Sequence, residues 1–240
     1  MTEMLLIRKG PEPAALTEYR TRKWNPVEKQ SLQPSYADMP TEIKDEIRKY
    51  LLREQGCLCA YCMRRLDSIE DVKIEHWTPE KDLDEDGKLE YRNMLGVCYG
   101  QAGPESGYSG REYETCDQRR GSRALNVDPR SPVSIEKISY KSGTGEITCR
   151  DEAIRKDLTD TLNLNCGVPH FLPENRKAVL DSVIRHLNQK AGKSGKWSRN
   201  EMMKVRKKFE TPDHKGQLME YAGIVLWFID SRLSREKHAG

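Results

Sequence analysis

Cysteine spacing constrains this chain more than any other feature. Cys59-Ala60-Tyr61-Cys62 sets two thiols two residues apart, a knuckle whose sulfurs can share one Zn²⁺ while intervening backbone amides donate to them. Two further cysteines, Cys98 and Cys116, flank a Gly- and Tyr-rich stretch, and together the pairs make a four-cysteine set. A zinc ribbon separates its second pair by about two residues. Here residues 99–115 intervene, and they read as an insertion into the second knuckle. Cys57 is an alternative to Cys59 at the metal, although the two-residue spacing favours Cys59. Cys149 and Cys166 read as small buried thiols of the core.

The N-terminal run Met1-Thr2-Glu3-Met4-Leu5-Leu6-Ile7-Arg8 lacks a signal peptide's long apolar core. No apolar stretch approaches the roughly 18–20 residues that cross a bilayer. A cytoplasmic, reducing setting is therefore expected, with no membrane partner, and there seven cysteines point to metal rather than to disulfides. Hydrophobic residues make up 36% and charged residues 33%, with three Phe, which is lean for a lone globular domain. That leanness fits a partner subunit or a polar ligand-binding surface, and it stops short of disorder. The net charge of +3 is only weak support for a polyanionic ligand.

Three regions are legible. Residues 1–55 form a polar, Pro-punctuated leader and one helix over Pro40–Gln55, with Ile43, Ile47, Leu51 and Leu52 on one face. Residues 56–150 hold most cysteines, the Gly-rich turns and the short β-like runs. Within them Val133–Tyr140 and Glu146–Arg150 flank Ser142-Gly143-Thr144-Gly145 as a hairpin. Residues 151–240 read as helical, over Asp151–Leu164, Pro173–Gln189, Ser198–Phe209 and Gly216–Leu233. Lys190–Glu210 carries eight Lys or Arg against two Glu, either a solvated face or a surface for phosphates or an acidic partner. Leu218, Tyr221, Val225, Trp227 and Phe228 exceed what one face of a small domain needs, so part of that surface is expected to dock another protein. The alternative is that Val225 and Phe228 complete the chain's own core.

Between the cysteine pairs lies Val72-Lys73-Ile74-Glu75-His76-Trp77-Thr78-Pro79, a short strand ending in an acid–histidine pair and stopped by proline. Leu89–Cys98 follows with Asn93 at its centre, and Cys116 opens Cys-Asp117-Gln-Arg-Arg120-Gly. Phosphodiester cleavage needs a water deprotonated near neutral pH and charge neutralised on the phosphate; an imidazole suits the first task. His186 reads as packed on an apolar helix, and His170, His214 and His238 as loop or tail residues. No Walker A, GxSxG or GxGxxG is present, which disfavours an ATPase, an α/β-hydrolase or a Rossmann enzyme.

The order CxxC, Glu-His, Asn-x4-Cys, Cys-Asp-x2-Arg-Gly resembles the HNH endonucleases over about residues 57–121. The resemblance implies an α+β fold: a zinc-braced ββα-metal core with an N-terminal helix and a C-terminal helical region. It implies His76 as general base, Asn93 as the residue orienting the base's loop, and Glu75 with Asp117 as ligands of one divalent metal. Asp117 stands where the family has His or Asn, and two carboxylates suit Mg²⁺ or Mn²⁺ better than Zn²⁺. Arg120 fills a lysine position and keeps a cation near the phosphate.

The wider layout, with Cys-x-Tyr-Cys, Ile-Glu-His-Trp-x-Pro-Glu, Tyr-x-Asn-Met-Leu and Asn126-Val127-Asp128-Pro129, is similar to the PtuB-like nucleases of Septu antiphage systems and retron-associated operons. That resemblance implies an ABC-type ATPase partner of PtuA type and, in retron operons, a reverse transcriptase–msDNA assembly. Nucleic acid is the implied substrate, DNA ahead of RNA, with an RNA such as tRNA kept open. A zinc-stabilised nucleic-acid or protein adaptor with an inactive site is the reading from a different class.

Overall fold

The computed structural model describes residues 6–22, 24–25, 30–31, 33–103, 106–192 and 195–238. The chain is α+β, built from helices and three two-stranded antiparallel sheets among the described residues. Helix α1 (Ala14–Thr21) is followed by the pair β1 (Trp24–Asn25) and β2 (Gln30–Ser31), then by α2 (Thr41–Glu54). Pro40 precedes the first turn of α2, and Ile47 and Leu51, four residues apart, are fully buried. Gln55 then ties the helix end to the next layer. Its side-chain amide donates to the carbonyls of Leu58 at 2.8 Å and Gly96 at 2.7 Å, and its oxygen accepts from the Gly96 amide at 2.8 Å.

The central hairpin joins β3 (Lys73–His76) to β4 (Met94–Val97), with Lys73 opposite Val97, Glu75 opposite Leu95 and His76 opposite Met94. Strand periodicity divides it between two apolar clusters. Leu95 and Val97 join the larger core, whereas Ile74 and Met94 join a second cluster with Leu16, Ile47, Leu51, Leu89 and Tyr91. Gly96 leaves room for α2, since a Cβ there would lie 3.2 Å from Leu51. The hairpin connection holds α3 (Glu85–Lys88), capped by the Asp84 carboxylate, which accepts from the Gly87 amide at 2.8 Å. Helix α4 (Cys116–Arg120) follows, then α5 (Pro132–Ile135) and the hairpin β5 (Ile138–Tyr140) and β6 (Ile147–Cys149).

The C-terminal part comprises α6 (Glu152–Lys156), a π-helical turn over Asp157–Thr161, α7 (Leu172–Ala191), α8 (Arg199–Glu210) and α9 (Ala222–His238). No helix among the described residues is long and apolar enough to cross a membrane. The larger core runs without interruption from Ile7 through the knuckle and β4 to Leu158, Leu180, Val225 and Leu233. Burial therefore crosses both sequence boundaries, at 55/56 and at 150/151.

Several local expectations change. The stretch Val133–Tyr140 is not one strand, because Pro132 starts a helical turn that leaves Val133 exposed, and pairing begins only at Ile138. The helix read from Gly216 begins at Ala222. Ahead of it Gly216 and Tyr221 take positive φ, and the Asp213 carboxylate holds a turn by accepting from the amides of Lys215 at 2.8 Å and Gln217 at 2.9 Å. Its apolar side chains turn inward. Tyr221, Val225 and Phe228 are buried, and the partly buried Leu218 and Trp227 pack on the same core, so Val225 and Phe228 complete the chain's own core. His186 is exposed rather than packed, and His170 is buried with its ring nitrogen 2.8 Å from the Tyr113 carbonyl. His214 is exposed, and the His238 side chain lies outside the described residues.

Candidate active site and metal centre

Four thiols converge from three elements. Cys59 and Cys62 come from the knuckle before β3, Cys98 from the residue after β4, and Cys116 from the first residue of α4. All four are buried, and their sulfurs lie within 4.8 Å of one another. The Cys59–Cys116 sulfurs are 3.9 Å apart and the Cys62–Cys98 sulfurs 3.8 Å. A tetrahedron with Zn–S bonds of about 2.3 Å has edges of about 3.8 Å, so the set has the size of a zinc site and is far too open for disulfides. The Cys98 amide donates to Cys59 Sγ at 3.3 Å, as thiolate ligands require. This group can hold a structural metal such as zinc. Cys57 stands outside it, with φ +59°, and so does not replace Cys59.

The insertion between Cys98 and Cys116 is closed at its neck. The Thr115 amide donates to the Gly100 carbonyl at 2.8 Å, and Gly100 adopts φ +66° in a place where a Cβ would lie 2.0 Å from the Thr115 carbonyl oxygen. Only glycine fits there.

On β3, Glu75 and His76 point to opposite faces, as strand geometry dictates. Glu75 faces the knuckle and α4. It is 7% exposed, accepts from the Tyr61 hydroxyl at 3.1 Å, and pairs with the Arg120 guanidinium. Asp117, 6% exposed, lies near enough to Glu75 to raise its pKa and pairs with the Lys73 ammonium. Burial, followed by the Asp117 carboxylate, pushes the Glu75 pKa up to about 8 against the pull of Arg120. Two buried carboxylates sharing one site cannot both ionise cheaply. A hard divalent cation relieves that conflict, and the oxygen donors suit Mg²⁺ or Mn²⁺, so the pair fits such an ion.

His76 is 3% exposed. Its Nε2 lies 2.8 Å from the Lys88 carbonyl, which can only accept, so Nε2 carries the proton and Nδ1 is the basic nitrogen. Nδ1 is buried without a hydrogen-bond partner and lies 3.3 Å from Oε1 of the half-exposed Glu80. Burial first, and Arg120 next among the lowering influences, hold the imidazole pKa below the ordinary histidine value despite the Lys88 carbonyl and Glu80. The ring is therefore neutral at physiological pH. Tyr36 packs edge-on against it, with centroids 4.6 Å apart. Burial raises the Tyr36 pKa, and the carboxylates of Glu80, Glu75 and Asp117 add to the rise. That phenol thus neighbours both the histidine and the carboxylate pair.

Asn93 lies beneath this loop. Its side chain accepts from the Thr78 amide and donates to the Thr78 carbonyl, while its own carbonyl accepts from the Trp77 amide at 2.9 Å. Arg120 differs from the expectation of a phosphate-facing cation. It is 1% exposed, and its nitrogens donate to the carbonyls of Arg123 at 2.7 Å, His76 at 2.9 Å and Trp77 at 2.6 Å, besides pairing with Glu75. It clamps the end of β3 onto α4, and the more accessible cation at the carboxylates is Lys73.

The Asn126-Val127-Asp128-Pro129 segment seals the side of the site. The Trp77 indole donates to the Val127 carbonyl at 2.8 Å, and the Arg130 guanidinium stacks 4.7 Å over the Trp77 ring. From the π turn, the Asp157 carboxylate accepts from the amides of Asn126 and Val127. The sequence reading assigned no role to Tyr36, Tyr61, Lys73 or Glu80. Tyr61 and Glu80 stood inside quoted motifs, and Lys73 lies two residues before Glu75 on the same strand face. No protein-family model matches this chain, and no curated protein matches it.

Proposed function

We propose that this chain is a metal-dependent nuclease of HNH (ββα-metal) type that hydrolyses nucleic-acid phosphodiester bonds. The observation that carries the reading is the buried Glu75–Asp117 carboxylate pair joined to a neutral His76 on one hairpin and one short helix. An isolated carboxylate pair or an isolated histidine has many structural roles; a charge-frustrated pair beside a base with an unprotonated nitrogen has a chemical one.

In this reading Nδ1 of His76 takes a proton from water as the water oxygen attacks phosphorus and the bond to the leaving sugar oxygen breaks. The Lys88 carbonyl holds the tautomer that makes Nδ1 the base. Asn93 and Arg120 fix the loop and strand end that carry it. Glu75 and Asp117 would hold Mg²⁺ or Mn²⁺, which supplies Lewis-acid neutralisation of the phosphate charge. Lys73 lies beside them as a cation for a phosphate oxygen.

DNA ranks ahead of RNA as substrate, and the resemblance to Septu and retron-associated nucleases supports an antiphage role with an ABC-type ATPase. The decisive experiment incubates purified protein, alone and with its operon ATPase, with phage DNA and total RNA in Mg²⁺. Cleavage that disappears in His76→Ala is the expected result; no cleavage under any of these conditions overturns the reading.

A further inference from the structure

Three arginines interlock between the insertion, α4 and the π turn. Arg111 lies in the insertion, Arg119 on α4 and Arg123 just after it. Arg111 donates to the Arg119 carbonyl at 3.2 Å, and Arg119 donates back to the Arg111 carbonyl. Arg119 also donates to the Asp160 carbonyl at 3.3 Å. Arg123 reaches the carbonyls of Arg120 at 3.0 Å, Thr161 at 3.2 Å and Arg119. Every partner here is a neutral backbone carbonyl, and among the described residues none of the three has a carboxylate within ion-pair distance. Other arginines of the chain do, such as Arg20 with Glu12, Arg155 with Glu152 and Arg206 with Asp230. The nearest acidic side chain opposing Arg123, that of Asp157, is engaged by the amides of Asn126 and Val127. After burial, Arg111 and Arg119 lower the Arg123 pKa, so the three charges act on one another.

The turn that presents Arg111 is pinned from below. Asn163 Nδ2 donates to the carbonyls of Glu112 and Glu114, each at 2.9 Å, and His170 holds the Tyr113 carbonyl between them. The like charges are therefore gathered on a rigid support, a cost that an anionic ligand offsets. We propose that Arg111, Arg119 and Arg123 form a phosphate-binding platform that grips a nucleic-acid backbone along the flank of the molecule. Guanidinium forks match phosphate oxygens, and such contacts position a strand without reading its sequence. Arg119 follows Asp117 by two residues on α4, which turns it to the other side of the helix from the carboxylate pair. The nucleic-acid identity of the strand rests on the nuclease reading; the grip on phosphate does not.

The test uses the full chain carrying His76→Ala, so that substrate survives, titrated with labelled single-stranded DNA, duplex DNA and RNA of one sequence across a salt series. Arg111→Gln, Arg119→Gln and Arg123→Gln should each weaken binding about tenfold at about 0.1 M salt and reduce the salt slope by about one, and the three combined should reduce it by about three. Removing equal charge from the other basic face, with Lys190→Gln, Lys207→Gln and Lys208→Gln together, should leave affinity within about twofold. Wild-type affinity and slope in the combined arginine variant overturn the platform, as does an equal loss in the lysine variant. Should the combined variant not fold, Arg111→Gln, on the exposed insertion, decides alone. Cleavage in Mg²⁺ by chains with His76 intact separates the two ideas. Arginine-dependent binding without cleavage removes the nuclease reading and leaves the grip. Cleavage with unchanged KM and Kd in the arginine variants does the reverse.

Discussion

Asn93 closes a pair of hydrogen bonds on the backbone of Thr78, accepting from its amide at 2.8 Å and donating to its carbonyl at 3.1 Å. The bonded residue lies two positions after His76, so the amide fixes where the strand carrying the base ends. Asn93→Ala leaves both backbone groups without that partner and should cost about 1–3 kcal/mol of stability. Cleavage should fall with it while zinc content stays constant. Thermal unfolding and turnover together check this, and a variant equal to wild type in both contradicts it.

Removing the base has a larger effect on rate and a smaller one on fold. His76→Ala should reduce cleavage by about 10²- to 10⁴-fold with zinc content unchanged. Because burial holds this imidazole below the ordinary histidine value, the neutral, active form persists to lower pH than a free histidine would allow. The acid limb of the wild-type pH–rate profile should accordingly lie below the ordinary value of 6.5. A limb above that value speaks against His76 as the base.

The carboxylate pair gives a pH signature without any substrate. Folding raises Glu75 from an ordinary 4.5 to about 8, so between those values the folded chain holds a proton that the unfolded chain has lost. Its contribution to stability is complete below 4.5 and disappears as pH rises through about 8. In buffer freed of divalent cations, Glu75→Gln should gain melting temperature relative to wild type from about pH 5 to about pH 8. Added Mg²⁺ or Mn²⁺ should raise the wild type toward the variant at the alkaline end. Parallel pH curves would remove the charge conflict from the argument.

The four-cysteine group carries a separate prediction. Elemental analysis should find about one Zn²⁺ per chain purified without chelator, held by Cys59, Cys62, Cys98 and Cys116. Cys62→Ser should lower both zinc content and melting temperature, since structural zinc couples to folding. Zinc-free protein that melts like wild type would rule the site out.

The helical end of the chain should not be separable from the nuclease part. Leu158, Leu180, Val225 and Ile229 are buried in the core that also holds Tyr61 and Leu95. Truncation after Asp151 should therefore abolish cooperative unfolding rather than free a folded core. A soluble, zinc-loaded fragment would refute this. The proposed association with an ABC-type ATPase is then to be tested on the full chain by co-purification, and a full-length chain that stays alone beside such an ATPase counts against the proposal.

Much of the scaffold was readable because it depends on local rules. Helical spacing marked residues 40–55 and 173–189, and the structure has helices over Thr41–Glu54 and Leu172–Ala191. Thiol spacing chose Cys59 over Cys57. What escaped depends on contacts between distant segments. Tyr36 reaches His76 across forty residues, and the tautomer of His76 is set by a backbone carbonyl that no side-chain pattern announces. The family resemblance put Arg120 in a lysine position as a cation near the phosphate, yet three carbonyls and a carboxylate draw it inside. The helix expected across residues 151–164 yields to a π turn that delivers the Asp157 carboxylate to two amides.

The closed neck at Gly100 and Thr115 has an evolutionary corollary. A loop sealed at its base can be lengthened, shortened or exchanged at small entropic expense, because closure entropy grows only with the logarithm of length. The thiols on either side keep their spacing whatever hangs between them. Residues 101–110, ahead of the turn that Asn163 and His170 pin, thus behave as a replaceable cassette, and drift there can reshape the surface while the four-cysteine frame stays fixed.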